Sequence, residues 1–581
     1  MDEKPWHGLH WPESVPHEIS GYEKPVQSLL DDTVRRYPDR VYTIFNGASR
    51  TFAKVGETAD RIACFLASRG IQKGDRVAIL LPNIPQYPAI YFGILKAGGV
   101  CVSCNPVFTV AELNYQLKDS GAGTVFCMDH PDLYSTASKA VSGTDVKTVV
   151  VCNIKSYLPK AKGFVGSLFG KIPKAGTYDP DHLHLDNIVK TFPPEPPKVK
   201  INPTEDIALI LYTGGTTSTA KGASLTHANL VFDLMALEEW LRVPHEPGER
   251  PEKLRYGGFH CYLGLLPWYH SFGQTVIMLA ACRSGNRLVC IPDPRAGKPP
   301  FTDVLKAIQK YKATVLPAVP TILVALLNNP QLDRYDLTSL MGCFCGGAPL
   351  STMVYREFES RTSAVIFEGW GLSETAPVAS ANPTIPAHRK VGSVGFPMPS
   401  TDIRIVDIDT GLTELPQGDD GEMAISGPQV MKGYWNRPDE NASVFREIDG
   451  KRFFLSGDIG HMDEEGYFHI TDRKKDMIIV GGFNVYPKEV EEILSTHPGV
   501  ALSAVIGVPD STTGEKVKAY IKLKPGVKGS EEEILDFCRK NMTGYKRPRS
   551  VEFKDDLPTS MVGKVLRRVL REEALKKRGS V

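Results

Sequence analysis

Residues 207–222 read IALILYTGGTTSTAKG, an apolar run that ends in a loop of glycines and hydroxyls with one lysine near its close. Ile207 to Leu211 has the length and composition of a buried strand. Further on, Thr226 is placed to cap a helix in which Leu230, Leu234, Leu237 and Leu241 recur on one face. The stretch therefore predicts a loop joining a strand to a helix, the arrangement in which phosphate-binding loops commonly occur. Gly214 and Gly215 let the backbone approach an anion closely, the hydroxyls of Thr213, Thr216, Thr217 and Ser218 can donate to phosphate oxygens, and Lys221 adds a positive charge. ATP or pyrophosphate is the natural guest. The stretch is not a Walker A loop, because Ala220 precedes the lysine and Gly222 follows it. Taken alone, it is also compatible with a plain solvated loop.

Outward from this loop, residues 26 to about 400 alternate apolar runs with amphipathic stretches. Val26, Leu29, Leu30 and Val34 keep helical spacing, VYTIF (41–45) and VAIL (77–80) read as strands, and YPAIYFGILKAGG (87–99) reads as a helix. This predicts an α/β fold, with mostly parallel sheets covered by helices. From about 390 to 474 the character changes to short strands, IRIVD, GEMAIS, FFLSGDIG and YFHIT, split by Gly, Asp and Pro turns. A charged cluster, Asp472, Arg473, Lys474, Lys475 and Asp476, marks a hinge at Lys475. The expected organisation is a large N-terminal domain of two mostly parallel helix-covered sheets over 1–474, with a β-rich subdomain at 390–474. A small mobile α+β C-terminal domain over 475–581 follows.

At 581 residues the chain exceeds what one hydrophobic core usually supports, which agrees with this division. A formal net charge of +1 speaks against a nucleic-acid partner and for a small one. Eleven cysteines occur singly, apart from Cys101-x-x-Cys104 and Cys343-x-Cys345, and nothing near them completes a zinc site. They read as free thiols of a reducing cytosol, and neither a signal peptide nor an apolar run of bilayer-spanning length is apparent. Residues 155–174, KSYLPKAKGFVGSLFGKIPK, hold five lysines and no acid among apolar side chains. Two readings fit: a peripheral contact with an anionic membrane, or a lysine-rich surface insertion.

Six segments, YTGGTTSTAKG, CGGAPL (345–350), EGWGLSET (368–375), LSGDIG (455–460), DRKKDMIIVGGFNVYPKEVEE (472–492) and LPTSMVGKVLRR (557–568), stand in this order. On them the chain resembles the adenylate-forming acyl-CoA synthetase family over nearly its whole length. The resemblance implies ligation of a carboxylic acid to coenzyme A, with ATP giving an acyl adenylate and pyrophosphate before the thiol displaces AMP. The first step brings a carboxylate to a polyphosphate, so cations and donors must stand where charge builds. By the resemblance, Thr213 and Lys221 grip phosphate, Trp370 stacks on adenine, and Glu374 holds Mg²⁺. Glu368, Gly371 and Ser373 belong to the same nucleotide-contacting segment. Gly346, Gly347 and Ala348 form the wall opposite Trp370, and Asp458 and Arg473 take the ribose hydroxyls. Lys564 reaches the reacting carboxylate and α-phosphate. The small domain turns about Lys475 to bring the strand holding Gly481 and Gly482 to the site, where the pantetheine arm passes close to backbone. One departure stands out: Ser218 replaces the glycine that relatives usually carry after the paired threonines, and Thr219-Ala220 replaces the proline often seen before the lysine.

For the acid, PAVPTIL (317–323) and SETAPVAS (373–380) are apolar and small, with no carboxylate to meet an amino group. His270 aligns with a histidine near the acyl site of many relatives, and its role is open. CVSCNPVFTVAELNYQLKDSGA (101–122), KVGSVGFPMPSTDIRIVD (390–407) and PQVMKGYWNRP (428–438) look like bacterial long-chain acyl-CoA synthetases, which favours a medium- to long-chain fatty acid. Three alternatives are an aromatic or alicyclic acid, an acyl-AMP ligase that loads a carrier protein, and a catalytically dead binder. Retention of Lys221, Glu374, Asp458, Arg473 and Lys564 argues against the last. A cytoplasmic protein, with peripheral membrane contact through 155–174, is the expected setting.

Overall fold

The computed structural model describes residues 4–8, 10–159, 161–162, 172–213, 220–242, 259–362, 364–510, 512–559 and 565–579. Gly214, Gly215, Thr216, Thr217, Ser218 and Lys564 lie outside the described residues, as do 160 and 163–171 of the basic segment.

Among the described residues the chain builds four β-sheets. The first is nine-stranded, and its centre is parallel: Val365–Gly371, Gly342–Cys345, Val315–Ala318, Cys261–Gly264, Arg287–Cys290 and Val41–Phe45 lie side by side. The second is eight-stranded, with Ile207–Thr213, Val100–Ser103, Arg76–Leu80, Thr124–Met128, Thr148–Cys152 and Leu183–His184 parallel. The parallel strands are buried and rich in Val, Ile and Leu, as sheets covered on both faces require. The helices Phe52–Ser68 and Gln86–Lys96 pack tightly enough that a Cβ at Gly93 would stand 2.8 Å from Ile62. The helix predicted at 87–99 is thus present as Gln86–Lys96.

The third sheet is antiparallel and contains Asp402–Val406, Gly421–Ser426, Lys451–Met462, Phe445–Ile448 and Phe468–Arg473, matching the expected β-rich subdomain. One hydrophobic core runs through both large sheets and into this subdomain, joining Tyr42, Ile79, Leu209, Trp268, Ile403 and Phe454. The C-terminal part has its own core, with Ile478, Val490, Val505, Ile521 and Val551, around a sheet led by the paired strands Val500–Asp510 and Gly514–Leu523. It is tied back by ions: Arg567 pairs with Glu491 at 2.7 Å and Asp476 at 3.1 Å and stands 3.9 Å from Asp472, the next-to-last residue of Phe468–Arg473.

Two local expectations need correction. The phosphate-type loop does not join a strand to a helix. Ile207–Thr213 pairs antiparallel with Lys221–Thr226, Thr213 opposite Lys221, so the loop is the connection of a strand pair. The helix His227–Leu241 begins only after the second strand. Its cap is as expected: Thr226 Oγ1 accepts from Asn229 N at 3.2 Å and Asn229 Oδ1 accepts from Thr226 N at 2.7 Å. Gly481 and Gly482, read as part of a strand, form the turn between Ile478–Val480 and Phe483–Val485. Their φ values of 58° and 86° suit a two-residue hairpin turn that glycine makes without strain.

All eleven cysteines are free, and ten are buried. No helix among the described residues is long and apolar enough to cross a membrane.

Candidate active site

The parallel strands Gly342–Cys345 and Val365–Gly371 run in register, Cys345 opposite Glu368, so their C-terminal ends put Gly346, Gly347 and Ala348 beside Gly369, Trp370 and Gly371. In open α/β sheets ligands bind at this edge. The approach is close: a Cβ at Gly346 would lie 3.0 Å from Gly369 O, and one at Gly371 would lie 1.7 Å from Pro377 O. Phe272 Cε1 comes within 3.7 Å of the Gly346 Cβ position and Val319 Cγ1 within 3.7 Å of that of Gly347. Both bring apolar surface to the rim, Val319 from the segment expected to line the acid's path. His270, just before Phe272, accepts from Phe272 N through Nδ1 at 3.3 Å, and burial lowers its pKa to about 4. It is therefore neutral, and with Nδ1 accepting, its proton sits on Nε2.

Trp370 Nε1 donates to Asp458 Oδ2 at 2.8 Å, and Arg473 Nε meets Asp458 Oδ1 at 2.9 Å. Asp458 and Arg473 face one another across the strand pair Lys451–Met462 and Phe468–Arg473. A carboxylate has about four acceptor sites, so two remain for further donors. Lys475 is exposed as a residue, yet its ammonium is desolvated and stands near Arg473, both of which lower its pKa, while Asp476, Asp458 and Glu374 oppose.

Glu374 sits in the short turn Ser373–Thr375 and is buried. Its Oε1 accepts from Tyr434 Oη at 2.7 Å and its carbonyl accepts from Met431 N at 2.8 Å. Burial raises its pKa, and the Tyr434 hydrogen bond works against that. Tyr434 lies in the edge strand Gly433–Tyr434, which pairs with Lys221–Thr226. Above its ring, at 5.4 Å, stands Lys221 Nζ, which also pairs with Glu440 at 3.1 Å. Tyr434 thus brings together two segments that the sequence separates by about 150 residues, the lysine of the phosphate-type loop and the acid of EGWGLSET.

Of the expected residues, the structure gathers Thr213, Lys221, Gly346, Gly347, Ala348, Glu368, Trp370, Gly371, Ser373, Glu374, Asp458, Arg473 and Lys475 around one sheet edge and its flank. Gly481 and Gly482 stand in the hairpin of the C-terminal part. The sequence reading missed Tyr434 and Glu440. Both belong to or adjoin PQVMKGYWNRP, which had been noted for its likeness to relatives and not for chemistry.

No group of three or more metal-ligating side chains is present among the described residues. A single buried carboxylate with one oxygen engaged by Tyr434 fits Mg²⁺, which takes one or two protein carboxylates and draws its other ligands from phosphates and water.

The first segment of the chain, residues 30–435, matches the AMP-binding enzyme family, and residues 489–564 match the AMP-binding enzyme C-terminal domain. The chain belongs to the AMP-binding enzyme family. It is similar to the long-chain-fatty-acid-CoA ligase of Bacillus subtilis (strain 168), at 40% identity over 99% of this chain and 98% of that one. It is also similar to the long-chain-fatty-acid-CoA ligase of Escherichia coli O6:H1, at 39% identity over 97% of each. Among solved structures, ATP-bound MatB from Rhodopseudomonas palustris superposes with a TM-score of 0.78 at 30% identity, covering 94% of this chain and 98% of that one.

Glu368 makes the site's electrostatics testable. Burial raises its pKa to about 7, against a long hydrogen bond from Leu350 N (3.4 Å) and the nearby Lys488. A raised carboxyl means the folded protein holds a proton that the unfolded chain has lost. The stability from this group is full below the ordinary Glu pKa and falls as pH rises towards 7. The shift corresponds to roughly 3 kcal/mol. Thermal melts of wild type and Glu368→Gln from pH 4.5 to 8 are expected to show wild type losing ground to the variant as pH rises. A constant difference would contradict the assignment.

Proposed function

We infer that this protein ligates a carboxylic acid to coenzyme A with ATP, releasing pyrophosphate and AMP, and that the acid is a medium- to long-chain fatty acid. The observation that carries this is the meeting of Lys221 and Glu374 at Tyr434, beside the Gly346–Ala348 and Gly369–Gly371 backbones. A cation and a carboxylate able to hold a hard metal stand together where a triphosphate would lie along a sheet edge. The two ligases named above support the fatty acid, and ATP-bound MatB supports ATP as the nucleotide. The apolar Phe272 and Val319 at the rim suit an alkyl chain better than a charged substrate.

In the first step a carboxylate oxygen attacks the α-phosphorus and the bond to pyrophosphate breaks. Lys221 exchanges Glu440 for phosphate oxygens and offsets charge on the leaving group. Glu374 would hold Mg²⁺, which supplies further positive charge to the phosphates. Gly346, Gly347 and Ala348 keep one face of the adenine pocket flat, while Asp458, positioned by Trp370 and Arg473, accepts from the ribose hydroxyls through its remaining lone pairs. His270, held neutral, donates from Nε2 without adding charge near the acyl group. In the second step the coenzyme A sulfur attacks the acyl carbon, the carbon–oxygen bond to AMP breaks, and the thiol proton leaves to solvent. Rotation of the small domain about Lys475 exchanges Lys564 for the Gly481–Gly482 turn between the steps.

Purified protein with ATP, Mg²⁺, coenzyme A and acids of graded length and ring content is expected to release AMP and pyrophosphate, most efficiently with unbranched medium- to long-chain fatty acids. A preference for aromatic or alicyclic acids would overturn the substrate class, AMP release independent of coenzyme A would favour carrier loading, and no AMP with any acid would overturn the enzyme. Lys564→Ala is expected to lower adenylate formation by about a hundredfold or more while thioester formation from supplied acyl adenylate persists. Equal loss of both halves would remove Lys564 from the first step.

A further inference from the structure

Asp119 stands at the end of the helix Val110–Ser120, in the segment 101–122 that was quoted for its likeness to relatives and given no chemical role, with its side chain 9% exposed. Its Oδ2 accepts from Tyr212 Oη at 2.7 Å, and its Oδ1 pairs with Arg437. One helical turn earlier, Tyr115 Oη donates to Ala220 O at 3.0 Å and accepts from Arg437 Nη2 at 3.0 Å. Tyr212 immediately precedes Thr213, and Ala220 immediately precedes Lys221, so this one cluster holds the ends of both strands that carry the phosphate-gripping pair. The third arm comes from the segment that also supplies Tyr434: Trp435 N donates to Gly222 O at 2.7 Å, two residues before Arg437.

We propose that Asp119, Tyr115 and Arg437 form a polar bracket that positions Thr213 and Lys221 for the polyphosphate, making them positioning residues of the adenylation step. The chemistry is suited to the task. Burial and the neighbouring Asp119 carboxylate raise the Tyr212 phenol far above its ordinary pKa, so Tyr212 stays a donor, and Asp119 has no reason to give it up. The Asp119–Arg437 bond is charge-assisted, and the buried Asp119 carboxylate anchors a half-buried guanidinium. Arg437 leads directly into Pro438–Val444, the helix bearing Glu440, so the bracket also sets the group that holds Lys221 before the nucleotide arrives. Lys221 itself stands over Tyr434 and pairs with Glu440 rather than with any of the three. Their effect passes through the backbone of Tyr212 and Ala220 and through the placement of Glu440.

Because the proposal rests on Lys221 gripping the polyphosphate, Lys221→Ala serves as a separate control. In the full-length protein, KM for ATP, KM for coenzyme A and kcat are measured in the complete reaction, and thioester formation is measured from supplied acyl adenylate, a step that involves no polyphosphate. Asp119→Asn and the milder Tyr115→Phe are each expected to raise KM for ATP about tenfold, leaving thioester formation from the adenylate within about twofold of wild type. Equal loss in both half-reactions would mark the cluster as merely structural and overturn the proposal. So would an unchanged KM for ATP in both variants while Lys221→Ala raises it. An unchanged KM in Lys221→Ala would remove the gripping role of Lys221, and the bracket's role with it.

Discussion

Glu374, Asp458, Asp472 and Asp476 are all buried, and each is met by a donor from a different part of the chain. Tyr434 serves Glu374, Trp370 and Arg473 serve Asp458, the Lys488 backbone serves Asp472, and Arg567 serves Asp476. An ionised carboxylate taken out of water must be paired, and removing one partner of such a pair costs about 3–5 kcal/mol. This requirement fixes how the sheet edge, the β-rich subdomain and the C-terminal part sit against one another. Glu374 and Asp458 stand at the proposed nucleotide site, where Arg473 and Lys475 would serve the nucleotide as well as the fold.

The two large sheets share one hydrophobic core, and the short segment from Met431 to Glu440 adds a polar link between their edges. Met431 and Tyr434 reach Glu374 at the edge of one sheet, Trp435 extends the other, Arg437 closes on Asp119, and Glu440 holds Lys221. Ten residues thus couple Glu374, the proposed metal-holding acid, to Lys221, the proposed phosphate-gripping lysine. Such coupling favours pre-organisation, because binding energy is then not spent on gathering the groups.

Much of this was legible from the chain. The strand at 207–211, the Thr226 cap and the antiparallel strands between Asp402 and Arg473 follow from local patterns, and those patterns agree with the structure because burial and local propensity point the same way. The strand Lys221–Thr226 was missed because KGASLT holds one large apolar residue among small ones and shows no alternation; it is a strand because Ile207–Thr213 and Gly433–Tyr434 pair with its two sides. Trp370, Glu374, Asp458 and Arg473 were found through ordered motifs, yet their mutual contacts were not, since Trp370 and Asp458 lie 88 residues apart. Asp119 and Arg437, 318 residues apart, lie in segments noted for their likeness to relatives, yet nothing local pairs them: one charge at a helix end and one in a turn look like solvated surface until the fold closes on them.

The central claim is that an acyl adenylate forms at this sheet edge and is then opened by the coenzyme A thiol at the acyl carbon. It is tested most directly by supplying a long-chain acid whose carboxylate oxygens are both oxygen-18, letting the complete reaction run, and analysing the nucleotide by mass spectrometry. The account predicts AMP carrying one heavy oxygen, because the bridging atom stays on phosphorus when the carbon–oxygen bond breaks, with pyrophosphate unlabelled. Unlabelled AMP, or ADP with labelled inorganic phosphate in its place, would contradict it.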